Sequence, residues 1–386
     1  MLGYLFQCRV ALLDAIRRIK EQESFRVTIE TLDDVAFETD GSPTELLQVK
    51  HKIRREGRLS NASADLWKSI RVWVDGFTTC KWSRDTAYYL ITTARAERGS
   101  IASCLRADLQ RDVEQARRGL DEVARTSSNR DNESAYTAYR SLSQADRRLL
   151  VEQITVLDGF SDIVSVDRDL RRELALVVKR ELIESLITRL EGWWFGRIIV
   201  YLQGTKGEPI QSEEIDAQLE RLRRQLREDN LPIDQDLRDL EIDEAAFNFH
   251  PFVEQLRLID LINKRIITAM RQYYGASSQR SRWLREGLIL VGDLAVFDKH
   301  LREEWEIRFD EMMQRVGTGT AELEMRMAAR DLYKWAEQED SLFIRPECRE
   351  PFVSRGSLQI LSDRLLIGWH PEFQQRLECL IEEGTL

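Results

Sequence analysis

The sequence predicts two parts of different class. Residues 1–205 read as an α/β domain with a mixed sheet flanked by helices, and residues 206–386 as a mostly α-helical domain with a short terminal hairpin. Three observations lead there. The apolar period alternates between helical and strand spacing through the first 160 or so residues, then stays helical almost to the tail. Of seven prolines only Pro43 precedes Pro209, so the long middle of the chain is free of that interruption. The run Gln203, Gly204, Thr205, Lys206, Gly207, Glu208, Pro209 is the best linker candidate.

The elements follow in order. Leu5, Leu12, Ile16 and Ile19 recur at helical spacing and predict a helix over 5–20. Residues 25–30 alternate as a strand, 35–38 as a second and 45–50 as a third, with Asp40, Gly41, Ser42 and Pro43 as the turn between the last two. A helix over 63–76 and a strand over 87–93 come next. Residues 101–150 are helical and densely charged, broken at 126–129. A short strand near 154–157 precedes a long helix from 168 towards 201. Beyond the linker, helices are expected over 212–229, 252–273, 278–315 and 320–339. The two apolar runs 358–361 and 365–369 read as the hairpin. There is no internal repeat and no low-complexity segment.

Composition excludes several classes. With 42% apolar and 32% charged residues the chain can bury a core, which excludes disorder as its main state. The 57 basic and 67 acidic residues give a net charge of −10, so nucleic acid can be gripped only through a local patch. The most apolar stretch, 193–202, is broken by Arg197, so no membrane span is expected. Residues 1–4 lack the pattern of a secretory leader. Five scattered cysteines, never paired as CxxC, suit the reducing cytoplasm and exclude a zinc knuckle.

The first fifty residues carry the candidate chemistry. Strand alternation puts Leu46, Gln48 and Lys50 on one face of the third strand and Leu47 and Val49 on the other. A hairpin through Gly41 and Pro43 brings Asp34 beside Gln48 and Lys50, with Glu30 and Gln7 near. Such a cluster suits phosphodiester hydrolysis. Asp34, Gln48 or its neighbouring carbonyl, and Glu30 offer oxygen ligands to a hard divalent cation, Mg2+ or Mn2+. Lys50 can orient a water or stabilise developing negative charge. The same residues are also ordinary at strand ends and on an edge strand, and a QxK tripeptide alone carries no information. The residues directly after Lys50 add weight: His51, Lys52, Arg54, Arg55 and Arg58 form a basic run in an acidic chain, placed to contact a phosphate backbone.

Gly3-Tyr4-Leu5-Phe6-Gln7, Ala11-Leu12, Ile29-Glu30, Asp33-Asp34-Val35, Gln48-Val49-Lys50-His51 and 65–70 together resemble the PD-(D/E)xK double-strand DNA endonucleases. The type most similar is the one in antiphage effectors of CD-NTase (CBASS) signalling. The resemblance implies a restriction-endonuclease-like fold and site roles for Gln7, Glu30, Asp34, Gln48 and Lys50. Gln48 departs from the family's acidic residue, which implies weaker metal binding or loss of a second site.

The second half shows no HExxH, P-loop or dinucleotide fingerprint, and His250, His300 and His370 are far apart in sequence. Trp283, Trp305, Trp335 and Trp369 read as core or interface anchors. The stripe Leu288, Val291, Leu294, Phe297 and Leu301 suits partner docking. Two strings, 279–305 and 360–371, resemble the C-terminal domain of the ABC three-component antiphage systems, also called Lamassu. The whole then resembles the nuclease subunit of those systems. The resemblance implies an SMC-like ATPase subunit and a small third subunit as partners, double-stranded DNA as substrate, and activation by release and self-association to a dimer or tetramer. Duplex cutting with one site per strand also favours at least a dimer. A scaffold that binds DNA without cutting it, and a nuclease for RNA or single strands, remain as alternatives.

Overall fold

The computed structural model describes residues 2–21, 24–30, 34–39, 42–50, 58–159, 163–203, 208–237, 242–247, 249–317 and 319–382. The chain divides into two compact units, 1–221 and 222–386. The first holds α1 (Leu2–Lys20), β1 (Arg26–Ile29), β2 (Val35–Thr39), β3 (Ser42–Lys50), β4 (Arg58–Leu59), α2 (Ala64–Thr78), β5 (Ala87–Thr92) and β6 (Arg95–Ala96). It continues with α3 (Ile101–Cys104), α4 (Val113–Thr126), α5 (Glu133–Ser141), α6 (Gln144–Gln153), β7 (Ile154–Leu157), α7 (Ile163–Leu174), α8 (Ile183–Gln203) and β8 (Ile210–Gln211). The unit boundary falls within α9 (Ser212–Gln225).

Six strands form one mixed sheet in the order β7-β5-β3-β2-β1-β8. β3, β5 and β7 run parallel, while β1, β2, β3 and β8 pair antiparallel. One face is covered by helix: Leu46, Tyr88, Leu90 and Val156 pack with Trp67, Ile70 and Trp73 of α2 and with Leu120, Tyr136 and Tyr139 of α4 and α5. Leu47 and Val49, on the alternate side of β3, are buried as well. α1 packs against β1, α7 and α8, and the Trp194 indole donates to the Cys8 carbonyl at 2.8 Å. Two of the charged helices start on side-chain caps: Asp112 accepts from Gln115 N–H, and Ser143 from Asp146 N–H. β8 pairs with β1 and Ser212 N–H donates to the Phe25 carbonyl, so the segment after the expected linker completes the first unit's sheet.

The expected helix from 168 to 201 is two helices, α7 and α8, joined by a turn at 175–179 and a single 3-10 turn. The reversal brings both onto α1, where Arg9 pairs with Asp167 at 3.5 Å and with Glu191 at 2.5 Å.

The second unit holds α10 (Pro251–Leu258), α11 (Asn263–Arg285), α12 (Val291–Arg315), α13 (Glu322–Gln338), α14 (Pro351–Asp363) and α15 (Phe373–Glu382). Helix breaks fall where the backbone turns left-handed, at Asp260 (φ 55°) and Gly287 (φ 68°). These divide the expected 252–273 and 278–315 helices differently, into α10, α11 and α12. The expected terminal hairpin does not form. Residues 358–361 lie in α14, which starts on Pro351 and is buried along nearly its whole length from Val353 to Asp363. A helix enclosed on all sides has no polar stripe, so its apolar residues offer no helical period to read. Gly356 allows the closest approach: a Cβ there would lie 2.0 Å from the Gln272 carbonyl oxygen of α11. Trp283, Trp305 and Trp369 are core residues and Trp335 packs on that core. Leu294, Phe297 and Leu301 are buried, whereas Val291 is 73% exposed.

Candidate metal centre and phosphate-binding edge

The register of three strands assembles the site. Ile29 pairs with Val35, and Val35 pairs with Leu47. One step further along each ladder sets Glu30 opposite Asp34 and Asp34 opposite Gln48. Directly opposed residues in an antiparallel pair project to the same face. A carboxylate, a second carboxylate and an amide therefore stand in one row across β1, β2 and β3. Glu30 N–H donates to the Asp34 carbonyl at 3.1 Å, which extends the β1–β2 ladder to this row. Glu30 does so with φ 58°, a left-handed backbone that non-glycine residues avoid.

Asp34 is the hub. Its Oδ2 accepts from Val49 N–H at 2.8 Å and from Lys50 Nζ at 3.3 Å, and its Oδ1 accepts from Gln48 Nε2 at 3.4 Å. Its side chain is 13% exposed and that of Lys50 27%, so the pair is partly screened from water. Gln7 reaches in from α1, with Nε2 3.5 Å from the Val49 carbonyl. The structure thus brings Gln7, Glu30, Asp34, Gln48 and Lys50 together. Arg58 lies on β4, exposed, with a loose 3.8 Å pair to Glu97. His51, Lys52, Arg54 and Arg55 lie outside the described residues, as does Asp33.

The electrostatics fit a cation. Loss of hydration, and then the negative charge of Asp34, push the Glu30 carboxyl above the ordinary range, with Lys50 opposing them. A carboxyl raised in part by a neighbouring carboxylate is relieved by a positive ion between them. With the Gln48 amide oxygen and the Val49 carbonyl, they would offer an all-oxygen donor set of the kind hard divalent cations take. Gln48 turns its nitrogen towards Asp34; rotation of the amide would present its oxygen instead. Among the described residues no group of three or more His, Cys, Asp or Glu gathers to hold a metal, and this centre has two acids.

Two further residues belong to this site. The Tyr4 hydroxyl is raised by burial, and then by Cys8 and Glu30. The fully buried Cys8 thiol is pushed up to about 11, by burial first and with Glu30 adding to it. Neither stands among the candidates that the sequence suggests, although Tyr4, Gln7 and Cys8 fall at i, i+3 and i+4 on α1, a spacing that shares one helical face. Neither group is a nucleophile in this state, since both are held protonated.

Residues 252–377, about a third of the chain, match the family model CTD7, the C-terminal domain 7 of the ABC-three component systems. No curated protein and no solved structure matches the chain. The matched stretch runs from α10 into α15, within the helical unit. Over these residues the chain is similar to the C-terminal domain of the ABC-three component systems.

Proposed function

We propose that the first unit is a metal-dependent double-strand DNA endonuclease, and that the chain is the effector of an ABC-three component antiphage complex. The observation that carries this reading is the row Glu30, Asp34 and Gln48 with the Lys50 ammonium 3.3 Å from Asp34. Glu30, Asp34 and Gln48 would hold a Mg2+ or Mn2+ ion. When bound, such an ion supplies a water of lowered pKa and neutralises charge on the phosphate. Asp34 holds Lys50 through its ion pair and fixes the end of β3 through Val49 N–H. Lys50 then places a positive charge beside the reacting phosphate, where oxygen charge develops. Gln7 braces the Val49 carbonyl from the helix side. The partner subunits, an SMC-like ATPase and a small third chain, would restrain this activity, and release with self-association would start it.

The test is Lys50→Ala. Cleavage of plasmid DNA with Mg2+ should fall by about 100-fold or more, as for loss of one charge-stabilising donor, with folding unchanged. Full plasmid degradation by this variant removes the reading. A second reading, a scaffold that binds DNA without cutting it, is favoured by one observation: Gln48 stands where a third acid would raise the metal affinity. Salt-sensitive duplex binding with no product across Mg2+ and Mn2+ would select it. Parallel digestion of duplex DNA, single strands and RNA separates the nuclease classes.

A further inference from the structure

Beyond Lys50 the same end of the sheet continues into a small ribbon held by backbone pairing. Thr93 N–H donates to the Lys50 carbonyl at 3.3 Å, so the chain leaving β5 is still paired to the end of β3. Two residues later β6 begins and pairs in parallel with β4, Arg58 opposite Arg95 and Leu59 opposite Ala96. Paired residues share a face. Leu59 and Ala96 are buried, and Arg58 and Arg95 are exposed together on the other side. At about 3.3 Å per strand residue, Arg95 lies on the order of 10 Å from Lys50.

The backbone that presents Arg95 is clamped on both sides. Gly159 N–H donates to the Ala94 carbonyl at 2.8 Å, and Ala96 N–H donates to Asp158 Oδ2 at 2.7 Å. Asp158 is itself gripped by the Arg106 guanidinium through two hydrogen bonds of 2.6 Å, and Arg106 also donates to the Ala96 carbonyl. Burial opposes the Asp158 charge, but Arg106 and the Ala96 N–H outweigh it and hold the carboxyl below its ordinary range. Arg106 is therefore occupied, whereas Arg95 forms no ion pair with an acid among the described residues. The Arg95 stem runs over Gly159, where an added Cβ would lie 3.4 Å from its Cγ. A rigid backbone that aims a guanidinium at solvent beside a lysine of a phosphate-handling site is a recognisable arrangement, because Arg binds phosphate with two parallel hydrogen bonds.

We propose that Arg95, with Arg58 as its register partner, is a phosphate clamp that holds the duplex backbone a few nucleotides from the cleaved bond. At a rise of about 3.4 Å per nucleotide, an offset on the order of 10 Å corresponds to roughly three steps along one strand. The Arg58–Glu97 pair, exposed and 3.8 Å long, is weak enough for a phosphate to displace. The proposal rests on the endonuclease reading, and its test separates the two. Binding of the full chain to a fluorescein-labelled 30-base-pair duplex is measured by anisotropy from 50 to 200 mM salt. Arg95→Ala should weaken binding and lower the slope of log K against log salt by about one, and the Arg58→Ala/Arg95→Ala pair by about two. Arg95→Lys should keep the slope, and Lys50→Ala should lose cleavage while still binding the duplex. If the wild type binds and cuts but Arg95→Ala leaves slope and affinity unchanged, the clamp is refuted and the endonuclease stands. If the wild type binds no duplex at any salt, the endonuclease reading fails and takes the clamp with it. Circular dichroism of Arg95→Ala and of Arg95→Gln confirms that a loss of binding is not a loss of fold.

Discussion

Removal of the Asp34 carboxylate tests the centre through stability rather than activity. In Asp34→Ala the Val49 N–H loses a charged acceptor at 2.8 Å, and Gln48 and Lys50 lose theirs at 3.4 and 3.3 Å. A hydrogen bond to a charged group contributes about 1.5–3 kcal/mol, and a buried donor left unmet costs a similar amount. The long Gln48 bond and the partly exposed Lys50 pair add little, and Glu30 is relieved of a like charge. The net expectation is a loss of about 2–3 kcal/mol. For a unit of roughly 200 residues that lowers its Tm by about 4–12 °C. Asp34→Asn keeps one oxygen for Val49 N–H and should cost about 1 kcal/mol or less. Scanning fluorimetry with and without Mg2+ then isolates the cation. At ten times its Kd a ligand stabilises by about 1.4 kcal/mol, so the wild-type transition should rise by about 3–6 °C and both variants should not respond. An Asp34→Ala protein as stable as the wild type, with cation shifts equal in all three, refutes both the stabilising role of Asp34 and the metal centre.

Two further outcomes concern the helical unit. Gly356→Ala forces a Cβ to within 2.0 Å of the Gln272 carbonyl, so α11 and α14 must separate; we expect a loss of about 1–3 kcal/mol by thermal melting, and an unchanged Tm would contradict the packing. His370, with its side chain fully buried, is held below its ordinary value of 6.5 by burial first and then by Arg376, against Glu322 and Glu372. A depressed folded value means the unfolded chain takes the proton first, so this unit's stability is full above pH 6.5 and falls as the pH drops below it. Denaturant midpoints measured from pH 7.5 to 5 should slope less in His370→Gln than in the wild type.

The first unit is legible in the sequence because its elements keep their periods. β5 and β7 lie within a residue of where alternation sets them, and α2 is amphipathic because only one side of it meets the sheet. Gln7, Glu30, Asp34, Gln48 and Lys50 can be placed together because strand order and a single hairpin fix their faces. Enclosure and long-range pairing hide the rest. α14 is buried on all sides, so it lacks a stripe. β8 has two residues and exists only because β1 offers it an open edge, which no local signal announces. Arg95 has no local signal for the same reason: its neighbours Arg58 and Asp158 come from 37 residues before and 63 after it, through β4 pairing and the 158–159 turn.

The costs at this site converge on Glu30. Its backbone is left-handed at φ 58°, which for a non-glycine residue is unfavourable by roughly 1–2 kcal/mol. Although Glu30 is exposed, partial loss of hydration and then the charge of Asp34 disfavour its charged form as well. Glycine would remove the first cost and any neutral side chain the second, and neither change would disturb the Glu30 N–H bond that closes the ladder. Under the proposed reading, a side chain with these two costs stands in this row because it can bind a cation. The neutral Gln48 completes that logic. A third carboxylate in the row would raise Glu30 further before any cation binds, whereas an amide contributes a ligand oxygen without adding charge. On that same reading, the centre would fold without its cation and hold it with moderate affinity, as a nuclease that must first be released would require.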